Sequence, residues 1–271
     1  MMTLTAYIRG VGVIGPGIAD WPALRALFAQ GGVHEPAATQ IPPLAVLPPA
    51  ERRRVGNIVK LALATGLQTC TAAGVDPATL PTVFASSGGD GANCHTICET
   101  LASSDRMISP TRFHNSVNNA ASGYWGIATG AQAASTIISA YDGSFAAGLL
   151  EAGVQLASDG GDILLISHDA PYPEPLAATR PMADMMGVGL LLSADADAPA
   201  LARISITLDG DATPSRLDDP ALEALRTSIP TATALPLLRC LARILDGEAR
   251  SACTLPYLDD LRLTVTLEAL S

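Results

Sequence analysis

A tyrosine stands where the chain offers a place for a nucleophile. The run from Ser135 to Gly161, STIISAYDGSFAAGLLEAGVQLASDGG, reads as a buried strand, a sharp turn and a helix. Thr136, Ile137 and Ile138 are β-branched, as a buried strand prefers. Tyr141-Asp142-Gly143 breaks the run. Asp142 is expected to accept amides at the helix start, and Gly143 to permit close backbone approach. Phe145, Leu149, Leu150, Val154 and Leu156 then recur at roughly helical spacing. A strand turning sharply into a helix can expose a side chain while the helix end stabilises negative charge, which is what covalent catalysis requires. A phenol, with an ordinary pKa of about 10, is a poor nucleophile at neutral pH.

Other residues offer alternatives. Ser139, Ser144 or Cys94 could attack an acyl group with His114 or His168 as base, although the Gly-X-Ser-X-Gly elbow of esterases is missing. Cys94, His95 and Cys98 lie close enough to suggest soft metal ligands. No second Cys/His pair sits at zinc spacing, so they read as buried thiols on a helix, and no metal is expected. Gly88-Gly89-Asp90-Gly91 could cradle a phosphate, but it lacks the Lys-Ser/Thr ending of a P-loop and the spacing of a dinucleotide fingerprint. No cofactor is expected.

These residues need a scaffold, and the chain can build one. It has 271 residues, 48% of them hydrophobic, enough for a sizeable core. A net charge of −10 makes nucleic acid and anionic membrane poor partners. No apolar run is long enough to span a bilayer. The start, MMTLTAYIRG, lacks the features of a signal peptide. Five scattered cysteines favour reduced thiols and a cytoplasmic location.

In chain order, Ala6 to Ile14 reads as a strand, and Asp20-Trp21-Pro22 opens a helix to about Gln30. Residues 31–50 form an irregular, Pro-rich crossing. A long helix is expected from Glu51 to Ala73, beginning with the triplet Arg52-Arg53-Arg54, which reads as a solvated helix start. Pro81 to Ser87 is a strand. Ile108 to Gly130 begins polar and ends as a helix carrying Tyr124, Trp125 and Ile127, a pattern of a buried polar network or an interface. After the elbow come a strand over Asp162 to Ser167 and an expected antiparallel pair, Gly187 to Ser193 with Leu201 to Leu208. Helices near 218–228 and 234–245 and a last strand, Leu261 to Leu267, complete the order. The fold class is α/β, a mixed sheet with helices on both faces. The texture changes near residue 210.

The order of elements and two motifs resemble the N-terminal half of a β-ketoacyl synthase, in the thiolase superfamily. His114-Asn115-Ser116-Val117-Asn118-Asn119-Ala120-Ala121-Ser122-Gly123-Tyr124-Trp125 is similar to a pattern of that family. Ala140-Tyr141-Asp142-Gly143-Ser144 stands where synthases carry their nucleophilic cysteine. The resemblance covers residues 1–210, with 211–271 as a short C-terminal extension on the same domain. It implies a thiolase-like layered fold, N-terminal half only. The family's two catalytic histidines belong to motifs that do not occur here; the four histidines (His34, His95, His114, His168) all precede residue 170.

This pattern resembles chain length factors, inactive homologues that pair with an active ketosynthase, in the truncated form associated with aryl polyene biosynthesis. The resemblance implies a heterodimer with a catalytic ketosynthase. Residues 108–145 would face that partner and the acyl tunnel. Phe113, Asn118, Tyr141 and Phe145 are candidates for the tunnel wall, and His114, Asn119, Tyr124, Trp125 and Asp142 for the same interface. A chain at −10 is a poor landing site for an acidic acyl carrier protein, so carrier docking is expected on the partner. Other readings are an autonomous acyl-transfer enzyme, a decarboxylating priming subunit and a purely structural stabiliser.

Overall fold

The computed structural model describes residues 3–30, 34–210 and 212–270. Residues 31–33 of the irregular crossing expected over 31–50 lie outside the described residues. The elements are, in order, β1 (Thr3–Ile14), α1 (Trp21–Gln30), α2 (Pro49–Arg54), α3 (Asn57–Ala73), β2 (Thr82–Ala85), α4 (Gly91–Ala102), α5 (Pro110–His114), α6 (Ala120–Thr129), β3 (Ser135–Ile138), α7 (Ser144–Asp159), β4 (Asp162–Asp169), α8 (Leu176–Thr179), β5 (Met186–Ser193), β6 (Ala202–Asp209), α9 (Pro220–Ser228), α10 (Leu235–Leu245), β7 (Arg250–Pro256) and β8 (Arg262–Glu268). Three 3-10 turns join them, at Pro77–Thr79, Tyr141–Gly143 and Pro230–Ala234.

The strands form one mixed sheet of order β3-β2-β4-β5-β1-β6-β8-β7. β2 runs parallel to β3 and β4, and the remaining pairs are antiparallel. The sheet has a helical layer on each face, as the α/β reading expects. Alternation along β4 shows why: Ile163 and Leu165 enter one core with α7 and α10, while Leu164 and Ile166 enter the other with α3 and α6.

Three expectations are corrected. β5 and β6 are not paired with each other. Both pair with β1, whose twelve residues are long enough to hold β6 along Thr3–Ile8 and β5 along Tyr7–Ile14. The acidic stretch between β5 and β6 therefore crosses over β1 and is not a hairpin turn. The long helix expected from Glu51 is two helices, interrupted at Val55 and Gly56, so the Arg52-Arg53-Arg54 triplet ends α2 and suits the negative end of its dipole. β7 was not anticipated. Its sequence, RSACTLP, mixes a charge, small residues and a proline, and its strand character comes from pairing with β8 along Arg250–Pro256.

α3 lies unusually close to the sheet. A Cβ on Gly12 of β1 would stand 2.6 Å from the Thr65 carbonyl oxygen, and one on Gly10 2.8 Å from the Ala73 Cβ. Gly187 and Gly189 of β5 meet the Thr65 and Thr69 hydroxyls in the same way. Replacing Gly12 by Leu is therefore expected to destabilise the chain by about 3 kcal/mol, because backbone of α3 would have to move. Gly123, exposed on α6 with nothing within 4 Å of its Cβ position, serves as the control. Gly123→Ala is expected to be neutral or stabilising by up to about 1 kcal/mol. Urea unfolding of both variants checks the contrast.

Candidate functional site

The elbow is built from β3, a 3-10 turn and α7. β3 is an edge strand, paired only with β2, so Thr136, Ile137 and Ile138 are half-buried and not fully buried as their type suggested. Tyr141 takes φ +50°, a left-handed conformation that is costly for a bulky side chain. The residue is 64% exposed. The Arg180 guanidinium stacks 3.5 Å from the ring centroid. Arg180 Nη2 also donates to Asp142 Oδ1 at 2.7 Å. Asp142 is thus an ion-pair partner and not the cap of α7. The N-cap of α7 is Gly143, and no side chain caps the helix. Ser144, its first residue, closes the turn before it: its buried Oγ accepts from the Ala140 amide at 2.9 Å and donates to the Tyr141 carbonyl at 2.7 Å.

Gly143 is required by the C-terminal segment. The Tyr257 carbonyl, between β7 and β8, occupies the space a Cβ at 143 would need. The strand end behind the elbow is tied to the same segment. Asp169, buried at the end of β4, accepts from the Ser87 amide at 2.8 Å and from Thr231 Oγ1 at 2.7 Å. Burial pushes its carboxyl pKa upward, opposed by the hydrogen bonds from Ser87 and Thr231. Thr231 also meets Ser167 Oγ at 2.9 Å.

The structure separates the sequence-selected residues into two groups. Phe113, His114, Asn118, Asn119, Tyr141 and Asp142 are exposed. Asn118 Nδ2 reaches back to Ser139 Oγ at 3.1 Å, which joins the His114–Trp125 motif to the elbow. Tyr124, Trp125 and Phe145 are buried. Phe145 lies in the core with Leu149 and Leu165, and Trp125 packs edge-on to Phe84 with ring centroids 6.4 Å apart. Within this chain neither presents a free face, since α7 and α6 are turned inward at these positions. Tyr124 donates to Asn115 Oδ1 at 3.0 Å, and Asn115 Nδ2 donates to the Arg54 carbonyl at 2.9 Å. Desolvation raises the Tyr124 phenol pKa further. Asn115 is therefore the centre of the buried polar network anticipated for this stretch. Its position one residue after His114 in an Asn- and Ser-rich run was the only signal, and Asp169 and Thr231 had none.

Among the described residues, none of Ser139, Ser144 and Cys94 is hydrogen-bonded to a histidine. Cys94 is half-buried and Cys98 exposed, so neither is the buried thiol expected: α4 lies at the margin of the fold. Cys94 donates to the Ser116 carbonyl at 3.9 Å, and partial burial raises its thiol pKa. His114 stacks edge-on against Tyr124, and His168 is buried against Phe84. No group of three or more His, Cys, Asp or Glu side chains able to hold a metal occurs among the described residues. The Gly-rich turn has a packing explanation instead: Cβ atoms at Gly88 or Gly91 would collide with the Tyr172 ring.

Two open cavities flank this region. One of about 370 Å³ lies between Tyr141, Asp142 and Arg180 and the α9 end at Arg226–Pro230. The other, about 460 Å³, lies between the Gly89–Gly91 turn, Asn93, Arg112, Asn115 and Met185.

A family model described as Beta-ketoacyl synthase, N-terminal domain, matches residues 27–254. The chain belongs to the β-ketoacyl synthase N-terminal domain family. Solved structures of this ketosynthase fold superpose over nearly the whole chain. One is from the ketosynthase ApeO in complex with its chain length factor ApeC from Xenorhabdus doucetiae, with TM-score 0.73 and 21% identity, covering 97% of this chain and 99% of that one. The ishigamide ketosynthase/chain length factor gives TM-score 0.74 at 14% identity, covering 98% and 100%. A type II PKS acyl-carrier protein in complex with its ketosynthase bound to the hexaketide gives 0.74 at 11%, covering 99% and 100%. At these identities the likeness shows the fold. No curated protein sequence matches.

His168 makes the site sensitive to acid. Burial lowers its pKa from 6.5 to about 4. As pH falls through 6.5 the unfolded chain takes up a proton that the folded chain refuses, so stability is lost between pH 6.5 and about 4. Moving from pH 7 to pH 5 is expected to cost about 2 kcal/mol through this group. Asp169, with its raised pKa, acts in the opposite sense. Urea titrations of wild type and His168→Gln at both pH values isolate the histidine contribution, which the variant is expected to lack.

Proposed function

We propose that the chain is a non-catalytic, chain length factor-like subunit. It pairs with an active ketosynthase in the cytoplasm and shapes the acyl tunnel during polyketide or fatty acid elongation, of the aryl polyene type. The observation that carries this reading is the occupied elbow. The nucleophile position holds Tyr141, the Arg180 guanidinium covers its ring, and no serine or cysteine nearby is coupled to a histidine. A ketosynthase elbow arranged in this way can hold shape but has no group to carry an acyl chain.

The surface around the elbow supports a partner. β3 leaves one edge of the sheet unpaired, and the neighbouring α5 and the segment after it expose Phe113 (66%) and Val117 (50%). A ketosynthase seated there would cover these residues, with Phe113, Asn118 and Tyr141 facing the tunnel. Residues 211–271 act as an extension of the same domain, since Tyr257 and Thr231 brace the elbow from behind. The net charge of −10 supports carrier protein docking on the partner, since an acidic carrier is repelled by an acidic chain. Among the described residues no helix is long and apolar enough to cross a membrane.

Co-expression with a catalytic ketosynthase from the same biosynthetic system, followed by native mass spectrometry, tests the pairing. A one-to-one complex is expected. Phe113→Glu, at an exposed position, is expected to weaken it at least tenfold without unfolding the chain, roughly the 1.4 kcal/mol of a lost interface contact. A chain that remains monomeric beside active ketosynthase would overturn the proposal. Within an intact complex, Tyr141→Ala is expected to change product length, and an unchanged product would leave a stabilising role only. Tyr141→Cys alone is expected to show no condensation above background, because among the described residues no histidine is hydrogen-bonded at the elbow.

A further inference from the structure

One arginine holds the elbow from beneath. Arg180 ends the short helix α8, and its amide donates to the Leu176 carbonyl at 2.9 Å. Its side chain is only 14% exposed. Taking a guanidinium out of water is costly unless other groups replace the water. Two such groups come from the elbow: the Tyr141 ring, with its centroid 3.5 Å away, and Asp142 Oδ1, which accepts at 2.7 Å.

The dependence also runs the other way. The Tyr141 hydroxyl makes no hydrogen bond among the described residues, and no other ring stacks on it there. Ser144 fixes the turn through the Tyr141 carbonyl, which leaves the direction of the ring to Arg180. That direction matters because Tyr141 and Arg180 border the cavity of about 370 Å³, whose apolar lining is Pro181, Met182, Ile229 and Pro230.

We propose that Arg180 is a positioning residue that pins the Tyr141 ring across this cavity and so denies the cavity to the acyl chain. The proposal rests on the chain length factor-like reading above and names, within it, the residue that sets how far the chain extends. A ring held from behind is a stop, because overpacking against it is costly. A ring set free can leave φ +50°, a strained conformation for a bulky side chain, and move off the cavity. Further two-carbon units then have an apolar space to enter. A guanidinium suits this task better than an ammonium. Its plane stacks on a ring while its N–H edge donates to a carboxylate, so one group makes both contacts. Lysine would keep the charge for Asp142 and lose the plane.

The pin is tested first on the full chain labelled with 3-fluorotyrosine, the Tyr141 signal among the five tyrosines being assigned with Tyr141→Phe. The wild-type fluorine signal is expected to be broad and displaced from that of free fluorotyrosine. In Arg180→Ala it is expected to narrow roughly twofold and move towards the free position, with Arg180→Lys in between. An unchanged signal in Arg180→Ala overturns the pin. Should that variant not fold, Arg180→Lys and Asp142→Asn, both close in size to the native residues, carry the same measurement with the same two outcomes. The consequence is then tested in the one-to-one complex with a catalytic ketosynthase. Arg180→Ala is expected to lengthen the main product by one or more two-carbon units while the complex stays intact, and Arg180→Lys to restore part of the wild-type distribution. A freed ring with an unchanged or shorter product overturns the specificity role. A wild-type chain that forms no complex overturns the functional reading instead, and the fluorine signal still decides whether Arg180 pins the ring.

Discussion

The close seating of α3 on the sheet is the constraint on which the rest of the molecule depends. Gly10, Gly12, Gly187 and Gly189 remove side chains from two adjacent strands, and Thr65, Thr69 and Ala73 descend into the space. Helix and sheet then meet almost backbone to backbone, with Thr69 Oγ1 satisfied by the Thr65 carbonyl within the helix. Gly66, on the side of α3 toward α6, lets Trp125 and Ile166 approach in turn. Interiors this tight transmit displacement and do not absorb it. The level of α3 therefore sets where α6 lies, and α6 carries the end of the His114–Trp125 motif.

The opposite layer is organised by polar contacts at its rim. Asp169 holds the ends of β2 and β4 and the 3-10 turn at Pro230–Ala234 in one network. Ser144 closes the elbow turn from inside, and the Tyr257 carbonyl presses on Gly143 from the C-terminal hairpin. A left-handed tyrosine is sustained only when its surroundings over-determine it. Here Arg180 stacks on the ring, Asp142 holds Arg180, and Ser144 binds the Tyr141 carbonyl.

The charges around the elbow are paired within the chain. Arginine side chains near the elbow are committed: Arg180 to Asp142, and Arg226 to Glu223 with both carboxylate oxygens engaged. A committed guanidinium offers little to an incoming anion, because a new pair would have to replace an existing one. The exposed apolar residues on α5 and beyond, beside an unpaired strand edge, fit a large protein partner better than a small ligand.

The amino-acid sequence by itself determined the fold class, the succession of strands β1 to β6 and the identity of the elbow, because periodicity and turn residues are local properties. It also marked the His114–Trp125 run as unusual, since so many Asn and Ser residues beside aromatic ones need partners. Tertiary structure alone decided which residues of that run are available. Phe145 and Phe113 are the same residue type at the same site, yet one is sealed in the core and the other faces solvent, because α7 lies under the sheet and α5 at its margin. Only the assembled sheet placed β1 between β5 and β6, since strand order is a long-range choice with no local signature. Asp169, Thr231 and Tyr257 became part of the elbow for the same reason: each is unremarkable in sequence, and each acquires its role from a contact with a residue sixty or more positions away.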